Sequence, residues 1–417
     1  MFWPGWAGSR GEPEMRPLWT FLAVVVTVML FLSALILTWG PSGDQLDQSS
    51  TENQDLLELF GTGARLRGDN YLRTAVAYAQ TVYAASQDQD KPGAVVLVRD
   101  DDPAAAITTT RLQHFPVNAP MLYLTDQGQT VPEETRQEIE RLDPEGVMID
   151  GNTQIYLVGD IPPSTEEQLE EMGYITQRIY APNAIALSER VDEYISLMEG
   201  NHNEMVLIAH IDNLEYAFPG SNWNSHAGNG FAFVTDEGVP NETARILEAR
   251  WPHYPYIYVF APTSVVNETT MQELTRYGYV QRIPGEDPQE MSVRWAGYKD
   301  SGRRVAWWFG YDTRSVGWGI AEPGHNAIVA NPSDWRQVVP SGVLSHMGKH
   351  AFLLLTEDDG TLPESAVQYL SIIKPTPTHP SHQYYNYAWV VGEGIPSSTV
   401  MELDLLLRVA ETPPGTP

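Results

Sequence analysis

Three arginines, Arg65, Arg178 and Arg282, stand at nearly even intervals along the chain, and each opens the same short pattern. A hydrophobic residue follows, then a variable one, then Gly or Ala, and the pattern ends on polar residues: Asp69 and Asn70 in the first copy, Asn183 in the second, Glu286 and Asp287 in the third. A guanidinium offers a planar fork of donors that suits phosphate or carboxylate groups on a polymer. The same fork serves equally as a loop clamp that recurs because the fold recurs. Asn and Asp just before a helix are good caps for its free N–H groups. In a binding role they would meet sugar hydroxyls or a bound cation. The candidate ligand-binding set is Arg65, Asp69, Asn70, Arg178, Asn183, Arg282 and Asp287.

Three histidines, His114, His226 and His346, also recur, each about ten residues ahead of a strand that ends in Thr. If three units surrounded an axis, these imidazoles could converge and hold zinc with one open position. The simpler reading is that each bonds to backbone at a helix end, far from the others. The simpler reading is preferred, so no metal, cofactor or catalytic residue is assigned. The stretch from Gly342 to Lys349 misses the phosphate-loop spacing, with five residues between its glycines and His350 where Ser or Thr is required. The acids 100–102 and 357–359 read as solvated turns, or as a loose calcium site. Trp223, Trp251, Tyr254, Tyr256, Trp318, Trp335, Tyr384, Tyr385 and Tyr387 lie near connections. They suit glycan rings or fill seams between units.

The elements that must position these residues repeat three times. Strand-like runs ending in Thr125, Thr235 and Thr356 are each followed by an acid, then by Pro132, Pro240 or Pro363. A second apolar strand follows in each copy, beginning at Ile155, Ile257 and Ala388. Continuous apolar runs such as 94–98 are strands covered on both faces. Helices between them imply right-handed crossovers. The expected fold is α/β: three tandem Rossmann-like modules with mostly parallel sheets, at 59–172, 173–276 and 277–412. The third carries an inserted hairpin near 303–318, and 413–417 reads as a disordered tail.

Residues 18–39 are uncharged and long enough to span a bilayer. Counting basic residues alone, 1–17 is the cytoplasmic tail and everything after the span is exported. An uncleaved signal-anchor is preferred to a cleaved signal peptide, with 40–58 as a flexible linker. In 417 residues, 54 acidic side chains outweigh 25 basic ones, for a net charge of -29. That excess argues against nucleic acid as a partner. The absence of cysteine excludes disulfides, thiol catalysis and Cys-ligated zinc.

At these residues the chain resembles the cell wall binding repeat 2 family. The opening pattern is carried by Arg65, Leu66, Gly68, Asp69, Tyr71, Thr74 and Ala75, with Asn70 where the family usually has Arg. The strand from Ala119 to Thr125 and the Val158-Gly159 strand end are similar to the family's own. The second copy departs from the pattern, having Ala181 and Pro182 where Gly-Asp is usual. The resemblance implies a pseudo-threefold arrangement of three modules and non-covalent attachment to anionic cell-wall polymers. The reading is a membrane-anchored, extracytoplasmic, non-enzymatic protein that binds a cell-wall polymer or surface glycan. The acidity leaves local arginines or bridging divalent cations to hold any anionic chain. The alternatives are a cell-surface protein-interaction scaffold and an envelope glycan-active enzyme.

Overall fold

The computed structural model describes residues 57–300, 302–307, 310–313, 316–375 and 386–409, with side chains outside 303–315. The expected tail, membrane span and C-terminal end (1–17, 18–39, 413–417), most of the linker, and Tyr384 and Tyr385 lie outside the described residues. Leu57 and Glu58, the last residues assigned to the linker, already lie in a strand. Among the described residues, no helix is long and apolar enough to cross a membrane.

The described residues begin with an antiparallel hairpin, β1 (Leu57–Phe60) and β2 (Gly63–Leu66). Four parallel strands follow: β3 (Val95–Arg99), β4 (Met121–Leu124), β5 (Ile155–Val158) and β6 (Thr176–Ile179). They form a sheet in the order β4-β3-β5-β6. The next four are β7 (Met205–His210), β8 (Gly230–Val234), β9 (Tyr256–Phe260) and β10 (Tyr279–Arg282), ordered β8-β7-β9-β10. After them come the inserted hairpin, β11 (Arg303–Trp307) and β12 (Gly310–Thr313), and then β13 (Asn326–Ala330), β14 (Ala351–Leu355) and β15 (Tyr387–Val391). The fold is α/β with three mostly parallel sheets.

The third sheet has the order β14-β13-β15-β2-β1. Its fourth parallel strand is therefore β2, taken from the other end of the described chain. In all three sheets that fourth place is held by the strand carrying the repeated arginine: Arg178 in β6, Arg282 in β10 and Arg65 in β2. Sheet membership is thus offset by one strand from the repeat read along the sequence. The helix after each such strand crosses onto the next sheet. Tyr71–Val82 packs on β4, Ala184–Glu199 on β8 and Pro288–Gly297 on β14. Apolar strands such as β3 and β9 are sealed by helices, and the largest apolar cluster runs through all three sheets.

The crossing helices start where the sequence caps them. Asn70 accepts from Arg73 N at 2.9 Å, Asn183 from Ala186 N at 2.9 Å, and Asp287 from Glu290 N at 2.6 Å. Each removes one free N–H from a helix start. Gly68 and Gly285 precede two of these caps. A Cβ on Gly68 would lie 2.3 Å from the Cβ of Arg73, and one on Gly285 would lie 2.6 Å from Met291 Cα. The strand–helix corner is too tight there for a side chain.

Candidate functional site

The repeated arginines spend their donors on their own sheets. Arg282 Nη1 donates to Ala261 O at 2.8 Å, and Nη2 donates to Val266 O and Glu268 Oε1, both at 2.8 Å. Arg178 donates to Ile161 O, and its Nε lies 3.5 Å from Glu166. Arg65 donates to Ile395 O and is buried. Burial, then neighbouring Arg67, pulls the Arg65 pKa below its ordinary value. Each acceptor carbonyl lies in the loop just past the neighbouring strand, so the three guanidiniums do the same thing: they clamp the mouth of a strand–helix connection. The structure places them on three separate sheets. Asn70, Asn183 and Asp287 are helix caps, as above, and Asp69 is exposed beside Asn70.

Of the three arginines, Arg178 lines a cleft of about 420 Å³. This cleft sits past the carboxyl ends of β3 to β6, the usual place for ligands on a parallel sheet. Arg99, Gln127, Gln129, Asp160 and Tyr180 form its polar rim, with Ile161, Pro162 and Pro163 as apolar wall. Arg99 is held by Asp101 through two 2.8 Å bonds and reaches Asp160 O at 3.2 Å. The hydrogen bond from Arg99 holds the Asp101 carboxyl below its ordinary pKa. The rim turn is unusual: Asp126 (φ 52°), Gln127 (φ 57°) and Gly128 (φ 81°) are consecutively left-handed. Such backbone is costly outside glycine and persists only when its surroundings hold it. Here Thr125 and Thr130 exchange backbone hydrogen bonds at 3.1 and 3.2 Å, and Thr165 Oγ1 donates to Gly128 O at 2.6 Å. Gln127 and Gln129 are thereby presented outward on a fixed turn, opposite Tyr180, which is half exposed. The cleft offers amide and guanidinium donors, carboxylate and amide acceptors, and one aromatic face.

The second constellation lies where the three sheets' helices meet. The turn Thr110–Gln113, the helix Phe218–Ala227 and the turn Val339–Ser345 each touch the other two. They are the same element in three copies, and polar groups lace them together. Ser225 Oγ donates to Gln113 Oε1 at 2.6 Å, Gln113 Nε2 donates to Pro340 O at 3.3 Å, and Ser345 Oγ donates to Asn222 O at 2.9 Å. Gly342 belongs to this seam: a Cβ there would lie 2.4 Å from Ser225 Oγ and 2.7 Å from Gln113 Oε1. Its glycine is a close-approach residue.

His114, His226 and His346 end these three elements. Backbone partners at helix ends, far from one another, were expected of them; the structure brings them into one seam instead. His114 and His346 have ring centroids 4.8 Å apart. His114 Nδ1 donates to Phe115 O at 2.8 Å, and His226 Nδ1 donates to Ser345 O at 2.9 Å. His346 Nε2 lies 3.0 Å from Asn118 Oδ1. The histidines were expected apart because nothing in their spacing says that three elements share one seam. Burial lowers the pKa of all three, to about 4 for His114 and His346, whose neighbours include Arg111 and the other imidazoles. Among the described residues, no group of three or more His, Cys, Asp or Glu is arranged to hold a metal ion.

The loop aromatics divide. Trp223 is buried with Trp318 and Trp295 against it, at ring separations of 5.2 and 5.6 Å, so these rings fill the seam. Trp251 and Tyr254 are exposed and line a separate hollow of about 310 Å³ with His253, Glu248 and Arg276. Tyr256 is buried, Trp335 and Tyr387 half-buried. Sequence reasoning did not find Arg99, Gln127, Gln129 or Tyr180. No periodicity marks them, because the cleft is made by strand ends and turn conformations.

No family model and no curated protein matches the chain. Solved structures do share its fold. Cwp8 from Clostridium difficile superposes with a TM-score of 0.62 at 16% identity, covering 86% of this chain and 54% of that one. Cwp6 from Clostridium difficile gives 0.64 at 16% identity, covering 84% and 49%. The chain spans about half the length of these proteins. At that identity the likeness is one of fold.

Proposed function

We propose, from the fold shared with two Clostridium difficile cell wall proteins, that this chain is a cell-surface protein that binds an envelope glycan without turning it over. The observation that carries this reading is the cleft at the carboxyl ends of β3 to β6. Its groups are those of a sugar site: donors and acceptors for ring hydroxyls and Tyr180 as a stacking face. A glycan fits the protein's charge as well. With a net charge of -29, long-range electrostatics repel an anionic chain, so short-range hydrogen bonds or bridging divalent cations must hold it. In this reading residues 18–39 anchor the protein in the membrane and the body lies outside the cytoplasm. Anchor and binding body together would tether membrane to wall. Arg178 enters as a wall of the cleft. Arg65 and Arg282 act as clamps, and Asn70, Asn183 and Asp287 as caps.

The test is co-sedimentation of the full chain with purified envelope polysaccharide. The reading expects retention, at least tenfold weaker for Tyr180→Ala with Gln129→Ala, since each lost contact of about 1 kcal/mol costs several-fold. Retention that falls on chelation of divalent ions supports bridging; retention unchanged by chelation leaves direct hydrogen bonding. Equal retention of the double variant overturns the assignment of this cleft.

A second reading has its own observation. Trp251, Tyr254 and Tyr279 are more than half exposed and touch in sequence on the second sheet's edge. Rigid exposed aromatics are frequent anchors of protein contacts. Recovery of a specific protein by a chain that polysaccharide does not retain would favour a surface scaffold.

A further inference from the structure

The three-copy seam follows a cyclic rule. Each unit's histidine faces the residue that precedes the Ala- or Gly-initiated strand of the next unit, or its neighbour. His346 meets Asn118, ahead of Ala119. His114 lies against Gly228: a Cβ on that glycine would be 2.7 Å from His114 Nδ1. His226 meets His350, ahead of Ala351, with the two Nδ1 atoms 3.4 Å apart. Asn118 and His350 are equivalent positions, and both are left-handed, at φ 51° and 48°. Asn and His are among the few residues that adopt this backbone with any frequency. The third unit has thus placed an imidazole where the first has an amide. The exchange turns one of three equivalent contacts into a histidine pair.

We propose that His226 and His350 form a divalent transition-metal site that staples the second unit to the third. With metal–nitrogen bonds of about 2.0–2.1 Å, two imidazole ligands on one tetrahedral ion lie roughly 3.3 Å apart. The pair already has that separation. Ser345 O accepts from His226 Nδ1 at 2.9 Å and gives way to the ion when it binds there. His350 is exposed, so solvent can fill the remainder. In the metal-free protein His226 carries its proton on Nδ1, because Ser345 O only accepts. Metal binding moves that proton to Nε2 and leaves the Nδ1 lone pair to the ion. The His226 ring is held for this by Trp318, at 4.6 Å and 30°, and by Trp223, at 5.2 Å. Such fixing of a ligand ring by its surroundings raises affinity. The turn before His350 is also fixed: Met347 (φ 48°) and Gly348 (φ 82°) are left-handed too. Imidazole donors in this number and geometry suit zinc, nickel or copper over calcium or magnesium.

This site is independent of the glycan reading, and its test uses no polymer. The full chain, stripped with chelator and dialysed against zinc chloride, is analysed for bound zinc and for thermal unfolding. The expected result is one zinc per chain and an unfolding midpoint that rises with the logarithm of free zinc. His350→Asn, which restores the residue of the first unit, should lose both effects and keep the metal-free midpoint. His253→Ala, at an exposed histidine elsewhere, should keep both. Absence of bound zinc in the unaltered chain overturns the proposal, as does equal binding and stabilisation in His350→Asn.

Discussion

Asp404, in the helix Ser397–Leu407, accepts two hydrogen bonds from Thr62: from its backbone N at 2.8 Å and from its hydroxyl at 2.9 Å. One carboxylate oxygen thus joins the two ends of the described chain. It fixes the β1–β2 turn just before β2 enters the third sheet beside β15. Without β2 that sheet has no fourth parallel strand, and Arg65 has no loop to clamp.

Asp404→Ala should therefore act on the whole body. Losing two hydrogen bonds to a charged acceptor costs about 3–6 kcal/mol at the values typical of such bonds. Denaturant unfolding checks it, with amide exchange expected to speed up first in β1 and β2. A loss below about 0.5 kcal/mol would mean that the strand pairing alone holds the closure.

The arginine clamps make a prediction that separates structure from binding. Arg282→Ala removes three hydrogen bonds, one of them to a carboxylate, and should destabilise by about 3 kcal/mol. Because Arg282 lies on the second sheet and outside the first sheet's cleft, glycan retention should be unchanged at temperatures where the variant is folded. Arg178→Ala should affect both properties. Parallel loss of retention in the two variants would return the arginines to a shared binding role.

The histidine seam sets a pH dependence. His114 and His346 are lowered from 6.5 to about 4 in the folded protein, first by burial. A base with a depressed folded pKa binds more protons when unfolded. Its contribution is therefore complete above pH 6.5 and is lost as pH falls from 6.5 towards 4. The unfolding midpoint should drop across that window, and His346→Gln should flatten the drop. A profile of equal slope in the variant would assign the acid sensitivity to the carboxylates.

Much of this architecture is legible in the residues. The repeated Arg strand, the capped helix after it and the Thr-ended strands recur where local chemistry demands them, and the hairpin inserted in the third unit stands where the sequence lengthens. Asn183, for instance, is a side-chain type suited to a helix start, and it caps Ala186 N. What is not legible is pairing at a distance. β2 reads like β6 and β10, but nothing in its four residues says that its partner β15 lies more than three hundred positions away. His350 has the same difficulty, since its partner His226 comes from another unit. The cleft was hidden for another reason. Gln127 and Gln129 matter through a left-handed turn that polar residues do not announce.

The glycan reading is tested most directly by hydrogen–deuterium exchange on the full chain, with and without purified envelope polysaccharide. Slower exchange is predicted in 125–130, 159–163 and 178–181, the backbone around Gln127, Asp160 and Tyr180, with the second sheet unchanged. Protection confined to the region around Trp251 and Tyr254, or none at saturating polysaccharide, would contradict it.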